Sequence, residues 1–271
     1  MMRYNPSGGV FGGIPTVVKN LLILNGLVML VKLTGIAGLS IPEFDDLFGL
    51  HYPSSPLFRP YQFLTHMFVH AGPMVPGDGW YLHILLNMFG LYMFGPQVEY
   101  RWGSQRFLAY YLLCGLGSAL LYLGWLWYGS REHFATLGPD ELALLRDQFI
   151  QWSQGGTITG AITPDMAAIL RLWSEPMVGA SGAIFGVLLA FGLLFPDVRL
   201  MMLFFPVPIK AKYFVVIYAV IELVSGVANR SGDNVAHFAH LGGMVAGFVL
   251  LKWFERRDRG NAGHQQDLPW R

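Results

Sequence analysis

Of the chain's 271 residues, 54% are hydrophobic and 13% charged, against about 25% charged in soluble domains, so a water-soluble globule is excluded and an integral membrane protein is expected. The formal net charge of +1 offers no field for nucleic acid or a broadly acidic partner. Cys114, the single cysteine, sits in a long apolar run, which rules out an intrachain disulfide and argues against a thiol nucleophile.

Residues 1–16 are polar and glycine-rich and lack the charged start, apolar core and cleavage site of a signal peptide. They read as a short flexible lead. A hydrocarbon core of about 30 Å takes roughly 20 helical residues, and six stretches meet that need: Val17 to Leu39, Gly79 to Val98, Phe107 to Tyr128, Met177 to Phe195, Tyr213 to Asn229 and Val235 to Phe254. Asn25 and Lys32 interrupt the first of them.

The loop from Ser40 to Asp78 holds "LFRPYQFLTHMFVHAG", whose aromatics and prolines suit a structure lying at the headgroup level. His66 and His70 stand four apart there, the spacing of a zinc-binding helix, but Met67 occupies the place of a metalloprotease glutamate and no carboxylate completes the set. No metal and no cofactor is therefore expected, and the two histidines are assigned to ordering the loop. His51, His133 and His264 read as exposed.

The second long loop, about 129–176, carries two short helices. "TPDMAAILRLW" opens with Thr163 as N-cap, Pro164 at the first helical position and Asp165 in the first turn. "PDELALLRDQFIQW" aligns Leu142, Leu145, Phe149 and Trp152 on one face, as for a helix lying on lipid or on the protein.

Lys and Arg concentrate in the connections on one side: Arg3, Lys19, Arg101, Arg106, Arg199, Lys210, Lys212, Lys252, Arg256, Arg257, Arg259 and Arg271, against Arg59, Arg131, Arg146, Arg171 and Arg230 on the other. Both termini are therefore expected in the cytoplasm, with residues 17–254 forming one membrane domain and 255–271 a tail.

Polar groups inside a bilayer need partners or a purpose. The second, fourth and sixth spans all run inward, and each carries polar groups within about two turns of its outer end: His83 and Asn87, Ser181, and His237 and His240. His83 and Asn87, four apart, share a helix face. Gly182 with Gly186, and Gly243 with Gly247, form two G-x-x-x-G faces, so the fourth and sixth spans can pack with close backbones. That closeness brings Ser181 within hydrogen-bond reach of His240, as general-base activation of a nucleophile requires. His237 is the rival base, but it lacks the glycine three residues on that gives His240 its approach. Taken singly, a glycine face is packing and a His/Asn pair is polar glue; their convergence at one depth is what points to chemistry. Glu222, alone in the fifth span, is assigned no role.

With these residues in view the sequence resembles the rhomboid family of intramembrane serine proteases from about Val17 to Phe254. The resemblance rests on Gly179-Ala180-Ser181-Gly182, His83 and Asn87 as H-x-x-x-N, "AHLGGMVAG" around His240, and Gly95, Glu99 and Gly103 as G-x-x-x-E-x-x-x-G. It implies an all-α bundle of six transmembrane helices, and a Ser-His dyad without an aspartate, in which Ser181 is nucleophile and His240 base and then acid. It also implies an oxyanion hole of His83, Asn87 and the Ser181 N–H. Where many members carry Trp-Arg this chain has Phe58-Arg59, and where they carry tyrosine it has Phe185, which can stack on His240 but donates no hydrogen bond. "GPMVPGDG" reads as an insertion before the second span.

The expected function is hydrolysis of membrane-anchored proteins within the bilayer, with transmembrane substrates and lipid as partners and a bacterial inner membrane as the setting. A catalytically silent relative that binds membrane clients is the alternative. A transporter, hinted at only by Glu222 and Lys32, is a third.

Overall fold

The computed structural model describes residues 13–73, 79–201, 207–228 and 237–266. The expected all-helical membrane fold is what is observed, since helices account for nearly all its regular structure. By their internal contacts the residues divide into two units: one comprises the chain up to Ile23, Leu85–Ser118 and the chain from Ser181, the other Leu24–Ile84 and Ala119–Ala180.

Each expected span corresponds to a helix: α1 (Thr16–Thr34), α4 (Trp80–Trp102), α5 (Ser104–Thr136), α8 (Ser181–Leu194), α9 (Ala211–Ala228) and α10 (His237–Gln266). Between them lie α2 (Ile41–Phe48), α3 (Gln62–Thr65), α6 (Pro139–Ser153), α7 (Pro164–Ser174) and a two-stranded hairpin, β1 (Arg199–Leu200) with β2 (Ile209–Lys210). Among the described residues α1, α5 and α9 are long and apolar enough to cross a membrane, and α8 is a shorter apolar helix. The lead before Gly13, the insertion residues 74–78, Val235, Arg3, Arg230 and Arg271, and the side chain of His264 lie outside the described residues.

In the first unit α8, α9 and α10 pack on one another around Leu188, Val215 and Met244. The approach of α8 and α10 is close enough that a Cβ on Gly243 would lie 1.8 Å from the Gly182 carbonyl oxygen, and one on Gly247 would lie 3.1 Å from the Gly186 Cα. Both expected glycine faces are thus in contact. Helix α5 joins them: Ser118 Oγ donates to the Ala239 carbonyl (2.6 Å) and Tyr110 Oη to that of Gly186 (2.8 Å). The G-x-x-x-E-x-x-x-G stretch works at the start of α1. A Cβ on Gly95 would sit 2.8 Å from Val18 Cγ2, and the Glu99 carboxylate accepts from the Val17 and Val18 N–H groups (2.9 and 2.8 Å) and from Ser104 Oγ (2.6 Å). A carboxylate on two orphan N–H groups of a first turn satisfies them and complements the helix dipole.

In the second unit α6 and α7 form a small core of Leu145, Phe149, Ile169 and Trp173, with Leu142 packed against it. Leu142, Leu145 and Phe149 of the expected α6 face therefore rest on protein, whereas Trp152 at its end stays exposed. Thr163 caps α7 as expected, accepting from the Met166 N–H. His66 and His70 do order the outer loop: His66 Nδ1 meets the Gln62 carbonyl (2.8 Å), and His70 Nε2 meets Asn25 Oδ1 (2.8 Å). Lys32, fully buried, reaches the Asp45 carboxylate (2.6 Å) and the His70 carbonyl (2.7 Å). The polar residues that interrupt the first span are thus its anchors to the loop.

Four expectations are corrected. The fourth span begins at Ser181 rather than Met177, because Met177 pairs with Leu50 in an antiparallel bridge and Gly179 takes φ +123°. Helix α5 continues past Tyr128 to Thr136, since its glycines are tolerated in the helix and no proline interrupts it before Pro139. His51 is fully buried, its Nδ1 2.9 Å from the carbonyl of buried Trp173. His133 is only partly exposed and meets Asp165 Oδ1 at 2.7 Å.

Candidate active site

Ser181 is the first residue of α8, presented where the chain turns out of the positive-φ Gly179. Its Oγ lies 2.8 Å from His240 Nε2. That distance follows from the glycine contacts: Gly243, one turn beyond His240, has no side chain to hold α10 away from Gly182. The His240 ring is held flat against Phe185, with centroids 4.3 Å apart and planes within 6°. Tyr218 of α9 packs behind Phe185 at 5.6 Å.

The second ring nitrogen of His240 is engaged too. Nδ1 lies 2.9 Å from Glu222 Oε2, and His237 Nδ1 lies 2.7 Å from the same oxygen. Glu222 is buried, and both imidazoles are nearly so. An imidazole whose Nδ1 faces a carboxylate keeps its proton there and turns the Nε2 lone pair outward, here toward the Ser181 hydroxyl. Sequence reasoning left Glu222 out. The only available signal was a lone ionisable residue in an apolar span, because its partners stand 15 and 18 positions further along the chain.

Asn87 belongs to the same unit as Ser181 and His240 and is buried on α4. His83 shares its helix face one turn earlier but falls in the second unit. There His83 Nδ1 accepts from the Ala71 N–H (3.0 Å) and its ring meets that of His70 edge-on at 5.3 Å. With Nδ1 an acceptor, the neutral ring carries its proton on Nε2. Arg59, also in the second unit, donates to the carbonyls of Pro56 and Phe58 (2.9 and 2.7 Å). Beside it, buried Gln62 accepts from the Arg59 N–H and donates to the Asp46, Leu47 and Leu57 carbonyls. Gln62 is a second residue that sequence reasoning overlooked.

The arrangement fits acyl transfer: a hydroxyl at a helix start, a base within reach, and an acid behind the base. Among the described residues, Glu222, His237 and His240 are also the group with ligand atoms close enough for a metal ion, all within 4.8 Å of one another. The two imidazole contacts to one carboxylate oxygen account for that grouping without an ion.

The chain is similar in sequence to known rhomboid proteins. The chain is 28% identical over 172 residues to rhomboid protein 1, mitochondrial, of Saccharomyces cerevisiae, covering 64% of this chain and 37% of that protein. It is 28% identical over 193 residues to an uncharacterized mitochondrial rhomboid protein of Schizosaccharomyces pombe (65% and 48%). To RHOMBOID-like protein 12, mitochondrial, of Arabidopsis thaliana it is 30% identical over 173 residues (63% and 41%). The matched stretch thus spans less than half of each relative. The model of the rhomboid domain matches residues 58–257, which include every residue of the site, and the chain belongs to the rhomboid family.

Proposed function

We propose that the protein is an intramembrane serine endopeptidase acting on membrane-anchored polypeptides. The observation that carries this reading is the 2.8 Å contact between Ser181 Oγ and His240 Nε2 at the start of a helix. Nε2 takes the hydroxyl proton as Oγ attacks the scissile carbonyl carbon. The tetrahedral intermediate collapses, the C–N bond breaks, and His240 returns the proton to the leaving amine. Water then repeats the sequence on the acyl-enzyme and frees Ser181.

The negative oxygen of the intermediate needs donors. The Ser181 N–H belongs to the first turn of α8, whose N–H groups lack intrahelical acceptors and sit at the positive end of the helix dipole. Asn87 is the side-chain donor that this unit offers, and His83 is the second donor that the family resemblance implies. Each such donor is worth about 10²–10³ in turnover.

Polar side chains gathered in an apolar unit give water, which hydrolysis needs and lipid excludes, groups to bind to. Transmembrane proteins are the substrates proposed, since the nucleophile sits at the start of an apolar helix. The mitochondrial names of the relatives weigh against the bacterial inner membrane expected from sequence. The proposal is therefore a multi-pass membrane protein with both termini on its basic side.

The test is labelling of the detergent-purified protein with a fluorescent serine-reactive phosphonate, beside Ser181→Ala and His240→Ala. Labelling of the wild type that is lost in both variants is expected. A folded wild type that stays dark while an active family member labels alongside would overturn the reading in favour of a client-binding protein.

A further inference from the structure

We infer that Glu222 is a positioning residue that converts the Ser181–His240 pair into a Ser-His-Glu relay, with His237 as its second anchor. The inference rests on the protease reading, and it departs from the two-residue apparatus which the family resemblance implies.

Histidine can act as the base only in the tautomer that leaves Nε2 bare. A neutral imidazole left to itself favours the tautomer protonated at Nε2, which could accept nothing from Ser181. Glu222 Oε2, 2.9 Å from Nδ1, makes the selection. The same carboxylate faces the positive charge that His240 acquires when it takes the serine proton, and in a water-poor site that charge needs a fixed counter-ion.

The carboxylate must itself be held. A buried acid in a membrane span is costly unless partnered, and Glu222 has two imidazole donors converging on one oxygen, from His240 and from His237 at 2.7 Å. His237 stands three residues before His240, so a single turn of α10 presents both rings to one face of α9. That gives His237 a task other than that of rival base. Every element packed on His240 contributes: Ser181 and Phe185 from α8, Glu222 and, behind Phe185, Tyr218 from α9, and His237 from α10 itself. Among the described residues Glu222 is the carboxylate bonded to the ring.

A metal on the same three residues is the competing arrangement. It would bind both Nδ1 lone pairs, drive the His240 proton to Nε2 and so disable the base. Metal occupancy and the relay therefore exclude each other, and the tautomer decides between them.

The experiment uses the full chain in detergent, with nitrogen-15 in its histidines and His240 assigned by comparison with His240→Ala. The wild-type spectrum should show His240 protonated at Nδ1 and bare at Nε2. Glu222→Leu should lose that signature. In phosphonate labelling, the limiting rate should fall at least tenfold in Glu222→Leu and in Glu222→Gln, with the half-saturating probe concentration unchanged, and Glu222→Asp should recover part of the rate.

A wild-type His240 protonated at Nε2, or a signature and limiting rate that survive Glu222→Leu, would overturn the inference while the protease reading stood. The expected tautomer in a wild type that never labels would do the reverse. Should Glu222→Leu fail to fold, Glu222→Gln, which keeps the side chain's shape, carries the kinetic test.

Discussion

Gly243 shows how little room the site leaves at a single residue. An added Cβ would fall 1.8 Å from the Gly182 carbonyl oxygen and 2.7 Å from its carbon, both backbone atoms, so no side-chain rearrangement relieves the clash. Gly243→Ala must push α10 off α8. Overpacking of this kind costs about 1–3 kcal/mol or more, and it also moves His240 away from Ser181. We expect a lower unfolding temperature together with loss of phosphonate labelling. A Gly243→Ala protein that labels at the wild-type rate would show that the approach of the helices does not set the dyad distance. Gly243 was legible in the sequence, because close packing in lipid needs small residues and their spacing names the face. Ser181 and His240 were legible for the opposite reason, as polar groups where polarity is costly. Glu222 satisfied the same criterion, but its meaning lay in a contact across 18 positions between two helices whose rotation no spacing reveals.

Among the elements, the outer loop of α2, α3 and the turn after it depends most on buried neutral histidines. Burial holds His66 down to about 4, and burial together with the charges of His83 and Lys32 holds His70 down to about 3. An unfolded chain would bind those protons near pH 6.5. Between that value and about 4 the opened loop carries more protons than the closed one, so closure is fully stable above pH 6.5 and weakens as the pH falls. The slope approaches about 1.4 kcal/mol per pH unit for each histidine. Asp45, whose carboxyl burial raises, works in the opposite sense and offsets part of it. Amide hydrogen exchange over residues 50–71 should therefore show more frequent opening at pH 5 than at pH 7, corrected for intrinsic rates, and the difference should shrink in His70→Asn. An opening frequency independent of pH would show that the histidines are not held neutral. The sequence named these two histidines as loop-ordering residues but not their partners. It missed His51 because a polar loop residue reads as exposed until Trp173 is seen to give the loop a core of its own. Thr163 and Pro164 were legible because a helix cap is a local signal, whereas the start of α8 depends on the pairing of Met177 with Leu50 far along the chain.

Across the whole molecule, charge follows the division into units. Among the described residues the first unit carries ten Lys and Arg against five Asp and Glu, and the second carries five against nine. Lys and Arg resist translocation while acids contribute little, which is the reason for proposing that the connections bearing Arg101 and Arg106, Arg199, Lys210 and Lys212, and Arg256, Arg257 and Arg259 face the cytoplasm or its equivalent. Ion pairs join these connections: the part-buried Arg106 with exposed Asp258, and exposed Lys210 and Lys212 with Asp197. Sidedness can be read with a thiol reagent because Cys114 is buried and leaves a dark background. Ser153→Cys in α6 and Arg257→Cys in α10 replace exposed residues. A membrane-impermeant maleimide added to sealed vesicles of one orientation should reach one of the two thiols and not the other, with the pattern reversed in inverted vesicles. Labelling of both thiols from the same face would overturn that orientation.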